Sequence, residues 1–132
     1  MNEPRAKPDG IEAQFALRID KIRARFALRL AGKIQETDAA LSRMVGGGSD
    51  AVEAVAVAYR WFHDVSGTGL TLGFKMTGQE ASNCAAILVD PFRSGRGLSP
   101  DELASLTITL EALRIAALQE VQSSESNQRL AP

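Results

Sequence analysis

Residues 15–44 read FALRIDKIRARFALRLAGKIQETDAALSRM, and their apolar side chains recur at the spacing of an α-helix. Steps of three, four and seven residues place these side chains on one continuous stripe. The stripe consists of Phe15, Ile19, Ile22, Phe26, Leu30, Ile34, Leu41 and Met44. We therefore predict a long amphipathic helix over about residues 11–44, which the three glycines at 46–48 end.

The basic residues of this segment lie off the apolar stripe. They are Arg18, Lys21, Arg25, Arg29 and Lys33. We interpret them as a solvated face of the helix, which can also steer an acidic partner toward the protein.

A second helix follows the glycines. Asp50 and Glu53 have the spacing of a capping box, so we expect the helix to begin at Asp50 or one residue earlier. It runs to about Gly67, and a connection punctuated by Gly67, Gly69 and Gly73 follows.

Two more helices complete the chain. The third spans about residues 74–89, and the DPF sequence at 90–92 closes it because the residue before a proline avoids the helical region. The fourth has the clearest start, since Ser99 and Glu102 form a capping box around a proline at the first helical position. Four amphipathic helices with short connections predict an all-α fold, an antiparallel up-down-up-down four-helix bundle.

The domain organisation follows from these elements. We expect the bundle over residues 11–121, between a flexible arm at 1–10 and a flexible tail at 122–132. All four helices can come from one chain, so we expect a monomer.

Composition narrows the classes of function. The 132 residues suit one domain, and 45% apolar with 23% charged residues is typical of a globular protein. A formal net charge of −1 gives no reason to expect nucleic acid as a partner, and no apolar run is long enough to span a membrane. Cys84 and His63 are each the only residue of their type, so the chain cannot form a Cys/His zinc site and suits the reducing cytoplasm. We expect neither a metal nor a membrane partner.

His63 lies on the second helix, in the stretch YRWFHDVSGTGLTLGF at residues 59–74. Helical geometry places it beside Arg60 at the edge of a narrow polar stripe, so its ring is predicted to be partly exposed. One turn later on the same face come Ser66 and Gly67. Gly67 either ends the helix or leaves space for another molecule to approach the imidazole.

The sequence HDVSGTGLTLG resembles the signature of histidine phosphotransfer (HPt) domains, H-x-[hydrophobic]-K-G-x-x-x-x-[hydrophobic]-G. His63 matches the phosphorylated histidine, Val65 the hydrophobic position, Gly67 the small residue, and Leu72 and Gly73 the closing pair. The segments FALRLAGKIQETDAAL and ASNCAAIL are similar to the helices before and after the histidine helix of that family. The resemblance covers about residues 15–120.

This resemblance implies a phosphoryl-group carrier of a two-component phosphorelay. His63 would accept a phosphoryl group from an aspartate of a response-regulator receiver domain and pass it to another receiver domain. A neutral imidazole is a fair nucleophile and suits this task. The resemblance implies no kinase activity, no ATP site and no cofactor bound by this chain, with Mg²⁺ held by the receiver domain. It also allows a hybrid histidine kinase as a partner.

One departure from the family concerns the charge beside the phosphoryl group. The family often has a lysine three residues after the histidine, where this chain has Ser66. We expect Arg60 or Lys75 to supply the positive charge instead. The receiver domain would meet the residues on the His63 face, which are Ala56, Tyr59, Arg60, Ser66, Gly67 and Leu70.

Two other interpretations stay open. In the first, the chain is a helical-bundle interaction or adaptor module in which His63 is incidental and never phosphorylated. In the second, it is a dimeric kinase-type phosphotransfer domain, although the proline that usually follows the histidine of such domains does not occur before Pro91. Cys84 lies on an apolar helix face and is interpreted as a small core residue.

Overall fold

A computed structural model of the protein describes residues 10–130 and the side chains of residues 10–124. These residues form four α-helices, namely α1 at Gly10–Ala40, α2 at Ser49–Thr71, α3 at Lys75–Ser94 and α4 at Pro100–Leu130. A short 3₁₀ helix, Leu41–Met44, continues α1. Within the described residues there is no β-strand, and one isolated bridge pairs Val45 with Leu98. The predictions of an all-α fold and of four helices are confirmed.

The core lies between the helices. α2 packs against α3, α3 against α4, and α1 against α4. Its largest fully buried side chains include Met44, Val55, Phe62, Phe74, Leu88, Leu106 and Leu113. The apolar stripe of α1 reaches this core only in its C-terminal half, where Leu30 and Ile34 are buried, whereas Phe15 and Ile22 are exposed.

The ends of α2 differ from the prediction. Gly48 occupies the N-cap position in an extended conformation and no side chain caps the helix, so the predicted capping box of Asp50 and Glu53 is wrong. α2 continues through Gly67 and Gly69 to Thr71, so the connection to α3 consists of residues 72–74 alone. The predicted end at Gly67 is wrong because the packing of α2 on α3 outweighs the weak helix propensity of glycine.

The end of α3 also differs. Pro91 does not close the helix but lies buried within its last turns, and α3 continues to Ser94. Gly95 terminates it instead, because its φ of 64° is left-handed and lets the backbone N–H groups of Gly95 and Arg96 donate to the carbonyls of Phe92 and Pro91.

The start of α4 agrees with the prediction. The Ser99 N–H donates to Glu102 Oε1 at 2.9 Å, and the Glu102 N–H donates to Ser99 Oγ at 3.1 Å, which completes the capping box. Arg96 donates two further hydrogen bonds to the Glu102 carboxylate, at 2.8 and 2.9 Å. These bonds from Arg96, followed by the bond from the Ser99 backbone, lower the pKa of Glu102 from 4.5 to about 2.

The two ends of the described chain bear on the predicted arm and tail. The arm at residues 1–10 lies outside the described residues apart from Gly10, which begins α1. α4 runs past the expected end of the bundle at residue 121 to Leu130. The flexibility of residues 122–132 stays a prediction.

The start of α3 is capped by a side chain of another helix. The carboxylate of Glu120 on α4 accepts hydrogen bonds from the backbone N–H groups of Met76 and Thr77 and from the Thr77 hydroxyl, each at 2.8 Å. Thr77 is fully buried, so this carboxylate satisfies polar groups that water does not reach. Its negative charge also lies at the positive end of the α3 dipole. Glu120 therefore ties α4 to the start of α3.

Replacing Glu120 by alanine is expected to lower the free energy of unfolding by about 2 kcal/mol, because Thr77 then loses the partner of its buried hydroxyl and N–H. Urea unfolding measures this loss. The matched control is Glu111→Ala, whose carboxylate pairs with Arg114 in solvent and is expected to matter little. Equal destabilisation by the two substitutions would contradict the role of Glu120 as a cap.

Acid is expected to weaken the fold through Glu102. Because folding lowers the pKa of this carboxyl from 4.5 to about 2, its ionised form stabilises the protein above pH 4.5, and this contribution is lost as the pH falls toward 2. The difference in unfolding free energy between the wild type and Glu102→Gln should therefore be largest above pH 4.5 and shrink toward pH 2. Urea unfolding at several pH values tests this, and a difference that does not vary with pH would refute it.

Candidate functional site

His63 lies within α2 with its side chain exposed to solvent. Arg60 and Asp64 are exposed beside it, so the predicted polar stripe is present. The half-buried ring of Tyr59 stacks near the imidazole, with ring centroids 6.1 Å apart and an angle of 22° between the planes. The imidazole is thus presented at the surface of a long helix and next to an aromatic ring.

A second aromatic ring extends this stack from α3. Phe92 lies against Tyr59, with ring centroids 4.4 Å apart and an interplanar angle of 18°. The guanidinium carbon of Arg60 lies 5.5 Å from the centroid of the Phe92 ring, a cation–π contact. The guanidinium of Arg60 thus lies against this stack, and Arg60 itself is one turn before His63 on the same side of α2.

Phe92 is a site residue that the sequence analysis missed. The sequence shows it only as part of the DPF stretch at the predicted end of the third helix, yet it contacts both Tyr59 and Arg60. The spacing of residues within α2 or α3 shows which side chains share a face of that helix. It does not show which residues meet across two helices, so no local signal pointed to Phe92.

The space beside the imidazole is open at Gly67. α2 continues past this residue, so Gly67 does not end the helix. A Cβ atom placed at Gly67 would find no atom within 4 Å, and the residue is exposed. Glycine in a helix costs about 0.5–1 kcal/mol relative to alanine, and no local packing contact requires it here. The expected access to the imidazole is therefore present.

Ser66 and Lys75 differ in their relation to His63. The Ser66 hydroxyl donates to the backbone carbonyl of His63 at 2.9 Å, so it is directed at the helix backbone. Lys75 is exposed and is the first residue of α3. It follows the end of α2 at Thr71, which is about 12 Å along the helix axis from His63. Of the two expected cations, the geometry favours Arg60 as the neighbour of the imidazole.

The residues expected to contact a partner share the His63 face of α2. At about 100° per residue, Ala56, Tyr59, Gly67 and Leu70 all lie within about 40° of His63. Ala56 and Tyr59 are half-buried, and Leu70 is 57% exposed. This face combines small, aromatic and aliphatic residues with the imidazole.

Other candidate groups do not contribute to this face. Cys84 is fully buried, as predicted, and burial together with the nearby Glu80 raises the pKa of its thiol to about 12. A groove of about 670 Å³ between α1 and α4 is lined by Leu30, Ile34 and Leu110, among others, and by none of the predicted site residues. Among the described side chains of residues 10–124, no three His, Cys, Asp or Glu residues are grouped so as to hold a metal ion.

None of the helices in the described part of the chain combines the length and apolar character needed to cross a lipid bilayer.

Comparison with known proteins adds no relative. No protein-family model matches the chain, and neither a curated protein nor a solved structure matches it significantly. The site geometry and the signature around His63 are therefore the grounds for a function.

Two glycines in α2 are expected to respond oppositely to alanine. Gly67→Ala should raise the free energy of unfolding by about 0.5–1 kcal/mol, because its Cβ meets open space. Gly69→Ala should lower it by about 1–3 kcal/mol, because its Cβ would lie 3.2 Å from the backbone nitrogen of Gly78. Urea unfolding of the two variants compares them directly. A loss of stability in Gly67→Ala would contradict the open space beside His63.

Proposed function

We propose that the protein is a histidine phosphotransfer protein of a two-component phosphorelay, with His63 as its phosphoacceptor. The observation that carries this proposal is an exposed imidazole on a helix, with open space at Gly67 one turn later. A receiver domain must bring an aspartyl phosphate to within bonding distance of a ring nitrogen, and such access makes this possible. The resemblance of HDVSGTGLTLG to the HPt signature supports the same function.

The proposed reaction is a phosphoryl transfer between two side chains. A lone pair on one ring nitrogen of His63 forms a P–N bond while the P–O bond to the receiver aspartate breaks, and the aspartate leaves as a carboxylate. The proton on the other ring nitrogen can pass to solvent, since the side chain is exposed. The reverse step phosphorylates the aspartate of the next receiver domain. Mg²⁺ on the receiver domain offsets the charge of the phosphoryl oxygens.

Arg60 is proposed as the cation that this chain contributes. Its guanidinium lies over the Phe92 ring, and the residue is one turn before His63, so this contact restricts the side chain before the phosphoryl group arrives. This arrangement takes the place of the lysine that the family often has at the position of Ser66. Ser66 and Lys75 suit this role less well. The Ser66 hydroxyl donates a hydrogen bond to the helix backbone, and Lys75 lies on the next helix.

The proposed docking surface for a receiver domain is the His63 face, with Ala56, Tyr59 and Leu70 as its apolar contacts. A mixed surface of this kind suits a transient complex, which a carrier needs in order to release each partner. Response-regulator receiver domains, and a hybrid histidine kinase that contains one, are the proposed partners.

The finer architecture is proposed together with the function. We propose that the four helices run up-down-up-down as an antiparallel bundle and that the protein acts as a cytoplasmic monomer. The short connection at residues 72–74 and the packing of α2 on α3, α3 on α4 and α4 on α1 support the bundle. The buried, unpaired thiol of Cys84 is compatible with a reducing compartment.

Phosphorylation by two kinds of donor tests the proposal. Phosphoramidate, a small donor, should label the wild type with acid-labile phosphate, and so should a receiver domain phosphorylated on its aspartate, drawn from a panel of such domains. His63→Gln should accept label from neither donor. Asp64→Asn, which alters an exposed neighbour on another side of α2, should accept label from both.

Gly67→Leu separates docking from chemistry in the same experiment. Its side chain fills the space over which a receiver domain would approach but leaves the imidazole accessible to a small molecule. We therefore expect normal labelling by phosphoramidate and at least about a tenfold slower transfer from the receiver domain. Label that persists in His63→Gln, or a wild type that accepts none from any receiver domain, would overturn the proposed function and favour a module that is never phosphorylated.

A further inference from the structure

The N-terminal half of α1 carries a row of positively charged side chains. Arg18, Lys21, Arg25 and Arg29 recur at steps of three and four residues, so they share one side of the helix. All four are exposed, and none of the ion pairs among the described side chains involves them. These four residues are called the basic strip below.

Exposed apolar side chains border the basic strip on both sides. Leu17 and Leu28, which are 59% and 79% exposed, lie along one edge at about 100° per residue. Phe15 and Ile22, which are 65% and 44% exposed, lie along the other edge. Scattered apolar residues are normal on a protein surface, but four exposed large apolar side chains along one stretch of helix point to an interaction site.

The basic strip is remote from the face of His63. Trp61 lines the groove between α1 and α2, and His63 follows it by two residues, about 200° around α2. The imidazole therefore faces away from α1. The nearby residues Arg23 and Phe26 of α1 contact Phe74 at the end of the α2–α3 connection, not the stack beside His63.

We propose that the basic strip and its apolar borders bind an acidic amphipathic helix of a partner protein. The four cations span a rise of about 17 Å along α1, which matches carboxylates placed at helical spacing on a second helix. The exposed leucines on one edge and Phe15 and Ile22 on the other match apolar residues beside those carboxylates. The positive charges therefore favour a partner helix with negative charges, and the apolar borders favour a helix that also carries apolar residues beside them.

Two other occupants fit these observations less well. Pairing the strip with that of a second copy of the chain would bring like charges together, which disfavours self-association. A helix that lies on a lipid surface gathers its apolar residues on one face, opposite its charges. Here the apolar residues lie on both sides of the charges, so they do not form such a face.

Binding to the full-length protein of a displayed library of amphipathic helical peptides tests the proposal. The polar positions of the library draw equally on Asp, Glu, Lys and Arg. Peptides selected by the wild type should be rich in Asp and Glu. Their affinity should fall at least about tenfold for the double variant Arg18→Glu/Arg25→Glu and for Phe15→Ser/Ile22→Ser. The matched control, Arg43→Glu, reverses an exposed charge beyond the end of α1 and should bind normally.

Three results would overturn the proposal. One is a set of selected peptides without acidic excess, or no selection at all. Another is binding to phosphatidylglycerol vesicles in the absence of peptide binding. The third is a dimer in light scattering that Phe15→Ser/Ile22→Ser abolishes.

The proposal is independent of the phosphorelay, because binding needs no phosphoryl group. His63→Gln should therefore bind the selected peptides as the wild type does, and weaker binding by this variant would contradict two separate surfaces.

Discussion

The backbones of α2 and α3 meet where Gly69 faces Gly78, and the geometry around His63 depends on this contact. A Cβ at Gly78 would lie 3.0 Å from the carbonyl oxygen of Ser66, and a Cβ at Gly69 would lie 3.3 Å from the carbonyl oxygen of Phe74. Only hydrogen atoms fit between backbones at this separation. Neither helix can slide along the other without a clash, so the register between them is fixed. That register in turn sets Phe92 against Tyr59 and supports Arg60.

The same end of the α2–α3 pair is secured by contacts that are independent of His63. The N–H of Phe74 donates to the carbonyl of Gly69 at 2.7 Å, and Gly73 makes the turn with a φ of 89°. Glu120 then caps the start of α3 from α4. These contacts lie at the end of the pair next to the α2–α3 connection, whereas the side chain of His63 is exposed and takes no part in them.

The features that the sequence predicted correctly are local to one helix. The apolar spacing over residues 15–44 identified Leu30, Ile34 and Met44 as core residues, and the Ser99 and Glu102 capping box lies within one helical turn. Several of the failures involve contacts between segments. α2 extends past Gly67 because it packs on α3, and the cap of α3 comes from Glu120, more than forty residues away. The contact of Phe92 with Tyr59 and the exposure of Phe15 were missed for the same reason, since neither depends on local spacing.

The position of His63 constrains how a phosphoryl carrier can choose its partners. In the proposed phosphorelay, donor and acceptor would both approach the same imidazole, so they would exclude each other, and each complex would have to be short-lived for transfer to continue. The proposed surface on α1 would not compete with them, because His63 lies about 160° around α2 from Trp61, which lines the groove beside α1. A partner held on α1 can keep a receiver domain at a high effective concentration without occupying the imidazole. If both proposals hold, weak docking at His63 and specific pairing are compatible, because α1 would supply the affinity and His63 the chemistry.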